Sequence, residues 1–253
     1  MKKYFLFAAV VFLCTEFLHA QVPGYQGKRL SLGYYATGFT RANGRVFSAN
    51  PGYAADIYVN EYPALNVAHN FNLDYVVSRN AAIGITFEHF RTGVEFAYKN
   101  GSYYQNHFAN IASNWVLFNA KTFGANKNGA IAPLGLYNQF SLGIGSTAIT
   151  DVKNTQTNKA DPTALSLLGP TDPLLAFFYE TGFQKIIASR LMLTAAMRFG
   201  LISSYITYTV KANQAVGETL IESNQREFNQ QAIERLFRYQ FLNLHLGLAY
   251  IIF

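Results

Sequence analysis

Glu180 and Arg198 each stand nine residues from Ser189. If Ser189 centres a hairpin turn, the two face each other across it. A carboxylate and a guanidinium buried there would pair, because an unpaired buried charge is costly. Asp74, Glu88, Gln139 and His245 fall on faces of the same small, polar character and extend the pair into a network. Such a set supports a gate or proton-linked relay, or it is a structural plug; the plug is the simpler expectation. The histidines beyond residue 20 are His69, His89, His107 and His245. The first two fall toward the same ends of adjacent expected strands, with His107 in the segment that follows. Those three would support a metal site or a general base at the rim. No Ser or Asp stands beside them in a recognisable motif, so an enzyme is the weakest function class. No cofactor is expected. Gly143-x-Gly145 precedes no helix, so it is not a phosphate loop.

The first twenty residues have the features of an export signal. Lys2 and Lys3 are followed by an apolar core from Tyr4 to Leu13, and Leu18-His19-Ala20 offers a small residue before Gln21. That core is about half the roughly 20 residues a membrane-spanning helix needs. Cys14, the only cysteine, lies inside this signal, and Leu13 before it is not the small residue of a lipoprotein signal. Residues 1–20 are therefore read as a signal peptide and 21–253 as one domain, which has no disulfide, thiolate nucleophile or cysteine metal site. Removing two Lys and one Glu leaves a formal charge of 18 − 13 = +5. The longest Lys/Arg run is Lys28-Arg29, so no nucleic-acid partner is expected. Charged residues are 13%, against about 25% in an ordinary soluble domain.

The elements that must position these groups alternate by twos. In the last twelve residues Leu242, Leu244, Leu246, Leu248, Tyr250 and Ile252 share one face, and Asn243, His245, Gly247 and Ala249 the other. Similar runs are read over 28–40, 65–77, 82–91, 111–123, 134–149, 174–187 and 191–205. The fourth is blurred at Trp115-Val116-Leu117-Phe118. Short turns at 78–80, 124–129 and 188–190 alternate with long polar segments at 41–63, 93–110, 150–173 and 206–235. Within the last of these, Phe228, Ala232 and Leu236 have helical spacing, which suits a rim cap or an extension of the final strand. Eight strands joined by alternating short and long connections, with no apolar run long enough for a spanning helix, suit a membrane β-barrel.

Gly, Ala, Ser and Asn on the polar face fit the cramped lumen of a small barrel, which turns the bulky face to lipid. Tyr34, Phe39, Tyr75, Phe177, Tyr205, Tyr239 and Tyr250 are then expected in the interfacial girdles. The runner-up is a secreted lipocalin-like barrel, with the apolar face around a ligand.

These features resemble the small outer-membrane β-barrel proteins of the OmpA/OmpX type. The closest motif is the end of the chain, where Gly247, Tyr250 and Ile252 match that family's assembly signal and Phe253 lies one residue beyond it. The resemblance implies insertion into the outer membrane by the barrel-assembly machinery. The expected fold is an all-β, eight-stranded antiparallel transmembrane β-barrel with four long extracellular loops and short periplasmic turns. The expected function is non-enzymatic: envelope structure, or a surface platform whose loops meet an extracellular or envelope protein. The alternative is a narrow conduit for small or hydrophobic solutes.

Overall fold

A computed structural model describes residues 27–40, 65–100, 103–124, 132–168, 174–214 and 219–252. The export signal expected at 1–20, the loop expected at 41–63 and Phe253 lie outside them. Among the described residues there are eight strands: β1 Leu30–Thr40, β2 Leu65–Ser78, β3 Ala81–Asn100, β4 Tyr103–Phe123, β5 Gly135–Asn154, β6 Leu174–Ala188, β7 Leu191–Ile202 and β8 Asn243–Ile251. Three helices accompany them: α1 Pro162–Leu168, α2 Ser203–Gln214 and α3 Leu220–Gln240.

Each strand pairs antiparallel with its neighbours, and β1 closes the barrel on β8, with Ser31 opposite Ile251 and Gly38 opposite Leu244. Hydrogen-bonded partners traced once round from Leu136, through Phe183, Leu246, His69 and Asn114, return to β5 at Ser146, ten residues further on. That stagger is the shear of the barrel. With eight strands it goes with a strand tilt of about 35–45° and an interior that side chains fill.

The two faces are the reverse of a soluble barrel. Leu136, Leu142 and Leu175 point outward and are 64%, 64% and 66% exposed, and they belong to a continuous bulky apolar exterior on all eight strands. Asn70, Asn72, Asp74, Glu88, Lys121, Gln139, Glu180, Arg198 and His245 are buried inside. An apolar surface this extensive belongs in lipid, and a lipocalin-like barrel would carry it inside. The chain is a transmembrane β-barrel. No helix among the described residues is long and apolar enough to cross a membrane.

Several elements differ from the sequence expectation. β4 alternates cleanly through its blurred stretch, with Trp115 and Leu117 inward and Val116 and Phe118 outward. Both faces are apolar there, so hydropathy could not separate them. Gly145 of the neighbouring strand makes room: a Cβ on it would overlap the Trp115 ring. The segment expected as a loop over 93–110 is instead the continuation of β3 and β4, and β5 runs on to Asn154. Above the membrane no lipid selects for alternation, and the sequence pattern fades while the hydrogen-bonded ladder continues. β7 ends at Ile202, and the helices α2 Ser203–Gln214 and α3 Leu220–Gln240 follow before a short β8. Of the expected girdle, Tyr34, Tyr75, Phe177 and Tyr250 face outward, but Phe39 and Tyr239 are buried inside the barrel. Tyr205 sits on α2 against Phe237, ring centroids 6.0 Å apart.

Candidate functional site

The lumen is packed in three tiers. At the end of the short turns, Val76, Ala82, Phe123, Ala132, Tyr137 and Ala196 form one apolar layer, beside Tyr35, Met192 and Ala249. At the opposite end Phe39, Phe90, Phe96, Trp115 and Phe178 pack on Phe228, Ala232, Leu236 and Tyr239 of α3. Between the layers lies a belt of charge.

Glu88 on β3 is fully buried. The Arg198 guanidinium on β7 grips both its carboxylate oxygens, Nη2 donating to Oε1 at 3.2 Å and Nη1 to Oε2. Tyr239 from α3 donates its hydroxyl to the same carboxylate, and the guanidinium lies over the Phe178 ring at 4.4 Å. Glu180 on β6 accepts from the Tyr137 hydroxyl and meets Nδ1 of His245 on β8. Lys121 on β4 donates to Asp74 on β2 at 2.7 Å, with its ammonium 4.9 Å from the centre of the Tyr137 ring. Three carboxylates thus meet two fixed cations and one histidine. Amides and hydroxyls continue the belt, with Asn72 and Asn119 both donating to Thr86, at 2.9 and 2.7 Å.

The lumen residues Glu180, Arg198, Glu88, Asp74 and His245 are therefore together inside the barrel, but the expected partners change. Glu180 and Arg198 are register neighbours across the hairpin, yet they do not bond to each other. Each side chain points into the lumen, where Arg198 reaches Glu88 on the opposite strand β3 and Glu180 reaches Tyr137 on β5 and His245 on β8. Sequence spacing reports only adjacency along the wall. Lys121, Tyr137 and Tyr239 were missed as members of the belt. Lys121 shares the phase of Asn119, and strict counting by twos along β4 would have found it.

α3 closes the mouth on the long-loop side. Its start is a capping box: Thr219 Oγ1 accepts the Glu222 N–H at 3.2 Å, and the Glu222 carboxylate accepts the Thr219 N–H at 3.1 Å. Asn224 bonds both backbone groups of Lys99, accepting the N–H at 2.7 Å and donating to the carbonyl at 3.0 Å, as a neighbouring strand would. The Gln240 side chain accepts the Ile202 N–H at 3.0 Å. Leu242, at φ 48°, takes the left-handed conformation that turns the helix into β8.

The rim histidines do not converge. His69 and His89 are register partners on the outer wall, but His69 Nδ1 engages the Tyr34 hydroxyl at 2.6 Å and His89 Nδ1 engages Asn114 Oδ1 at 2.7 Å. His107 is buried in β4, its Nε2 3.0 Å from Asp161 Oδ2. Asp161 also accepts the Ala164 N–H at 2.9 Å, at the start of α1. Partial burial alone would raise the Asp161 carboxyl, but the Ala164 and Thr163 N–H groups and the His107 ring outweigh it and hold it below the usual carboxylate range. Among the described residues no three His, Cys, Asp or Glu side chains gather as metal ligands would.

At the end of the chain Gly247 faces inward beneath Tyr35, and a Cβ there would overlap the ring. Tyr250 and Ile252 face outward.

No family model and no curated protein sequence matches this chain. Among solved structures it is similar to Ail, the attachment invasion locus protein of Yersinia pestis, in complex with the heparin analogue sucrose octasulfate, with a TM-score of 0.40, 10% identity, and coverage of 88% of this chain and 97% of that one. A second structure of Ail gives 0.41, 9%, 88% and 97%. Neisserial surface protein A gives 0.39, 7%, 88% and 96%. Likenesses this distant carry nothing about function. The closed wall of eight strands, its lipid-facing exterior and its filled lumen carry the architecture by themselves. It is that of a small eight-stranded transmembrane barrel.

Proposed function

We propose that this barrel is a non-enzymatic outer-membrane protein that works as a surface-interaction platform. The observation that carries the reading is the sealed lumen combined with an ordered exterior. The charge belt and the α3 plug fill the path through the barrel. The extended β3–β4–β5 ribbon, α1, α2 and α3 form a built surface on the long-loop side, where a small extracellular or envelope protein would be met. Planar-bilayer recording joined to a cell-adhesion assay tests this. The intact protein should show no steady conductance. Replacing 92–110 with a tight turn should lower adhesion of expressing cells without changing the folded band on an unboiled gel. A steady conductance in the intact protein would replace the platform with a conduit.

Gly247, Tyr250, Ile252 and Phe253 are taken in this reading as the segment recognised by the barrel-assembly machinery. Deleting Phe253 should then slow insertion in cells while leaving refolding into detergent unchanged.

One observation favours a second reading, a site for a hydrophobic solute. A groove of about 570 Å³ on the lipid-facing wall is lined by Phe118, Leu142, Ile144, Leu175, Leu201 and Ile206, the last from α2. That volume lies in the range of about 300–1,000 Å³ that houses small ligands. Filling it with Ile144→Trp should abolish labelling there by a photoreactive fatty acid. Unchanged labelling would discard the reading.

A further inference from the structure

Among the described residues the positive charge of the barrel is concentrated at one end. On the short-turn side, 27–30, 76–82, 122–124, 132–136, 184–192 and 250–252 contain Lys28, Arg29, Arg79, Lys185 and Arg190 and no Asp or Glu. On the opposite side, 91–100, 103–110, 150–168, 203–214 and 219–242 carry eight Lys or Arg against six Asp or Glu. The lumen, with Asp74, Glu88 and Glu180 against Lys121 and Arg198, is close to balanced. The short-turn side is therefore a purely cationic collar, read as the periplasmic rim.

We propose that this collar binds the phosphate headgroups of anionic phospholipids in the periplasmic leaflet. Three placements favour a lipid headgroup over a soluble polyanion. Arg29 donates from Nη1 to the Tyr75 hydroxyl at 3.3 Å, and Arg190 from Nη1 to the Tyr250 hydroxyl at 3.3 Å. Both rings stand on the lipid-facing wall, so both guanidinium groups are held at the depth where the apolar band ends. The two arginines also flank β8: the Arg190 carbonyl accepts the Ile251 N–H, and the Leu30 carbonyl, next to Arg29, accepts the Ile252 N–H, each at 2.8 Å. Lys185 is the third placement. It is exposed on the outward face between Phe183 and Ile187, opposite Leu193, in the apolar wall itself. A lysine stem can cover such a wall while its ammonium reaches water and charge at the headgroup layer. A soluble polyanion would instead select cations aimed away from the bilayer.

The test uses the folded, full-length mature barrel in phosphatidylcholine vesicles containing spin-labelled phosphatidylglycerol or spin-labelled phosphatidylcholine. The lipid held at the protein surface is read by electron spin resonance. The intact protein should prefer phosphatidylglycerol, on the order of fivefold per fully engaged cation. The preference should collapse in about 0.5 M salt, where the screening length is only a few ångströms. The variant Arg29→Gln/Lys185→Gln/Arg190→Gln should lose it, and Lys153→Gln/Lys159→Gln/Arg226→Gln, on the other side, should keep it. Lys185→Gln alone, a single outward change, serves if the triple variant fails to show a folded band. Equal association of the two lipids, a preference lost with the opposite-side variant, or binding of soluble polyphosphate without lipid preference would each overturn the proposal.

Discussion

Arg198 crosses the lumen to Glu88 because a small barrel brings opposite walls within one side-chain length. Bidentate contact with the carboxylate, the Tyr239 hydroxyl and the Phe178 ring together compensate the loss of water around both charges. Arg198→Ala leaves Glu88 buried without its cation and should cost about 3–5 kcal/mol, read from urea unfolding in vesicles. The double variant Glu88→Leu/Arg198→Met should recover most of that loss, because neither charge then needs compensation. If the double variant is as unstable as the single one, the pair is not the source of the effect. Asp161 gives a prediction of opposite kind, since it lies outside the membrane. Its folded-state carboxyl titrates below its unfolded value of about 3.9, so its contribution is fully present above that value and is lost as pH falls through the lower folded one. Amide exchange at the start of α1 should stay slow near pH 5 and rise as the pH is taken below the ordinary carboxylate range. Asp161→Asn should remove that pH dependence.

α3 is the element that packs its apolar face into the barrel mouth. Its inner face, Phe228, Ala232, Leu236 and Tyr239, follows the helical period and is buried among β-strand aromatics. Its outer end is fixed by the Thr219 capping box, and its flank by Asn224 on the Lys99 backbone. Leu236→Ala should cost about 2–5 kcal/mol locally, since rigid barrel walls cannot close around the cavity. Thr219→Ala should cost only about 0.5–2 kcal/mol, by releasing an end that is already in water. Hydrogen exchange separates the two: Leu236→Ala should expose the lower turns of α3 while leaving β1–β8 protected, and Thr219→Ala should expose only the first turn. Protection lost equally in the strands would mean that the helix and the barrel fold as one unit.

At the scale of the whole molecule, stability comes from closure. Every strand is paired on both sides, so no sheet edge meets lipid, and the apolar exterior needs the bilayer as its solvent. Unboiled protein should therefore run as a compact, faster band on a detergent gel and shift on boiling. A single band in both lanes would contradict a closed barrel. The charge distribution adds an axis to the shape, with the strongest positive excess among the described residues at the short-turn rim.

The strand count and the lipid-facing side were legible because lipid imposes a strict period of two on every crossing segment; the expected alternation of long and short connections was not borne out at β3–β4, which only residues 101–102 separate. Asp74, Glu88, Glu180, Arg198 and His245 were legible as lumen residues for the same reason. The upper parts of β3, β4 and β5 were not, since water makes no such demand above the membrane. The helical spacing of Phe228, Ala232 and Leu236 was visible, but their place inside the mouth was not, because a period names a face without naming what covers it. By itself the sequence determined which side of most strands carries the bulky apolar face, and hence that the chain is a membrane barrel; on β4 it could not, because both faces are apolar there. Only the tertiary structure decided that Arg198 belongs to Glu88, that Glu180 belongs to His245 and Tyr137, and that Tyr239 descends into the lumen. Those contacts join residues far apart in the chain, the Arg198–Glu88 pair across the barrel axis, and they are set by where the inward side chains meet in the lumen.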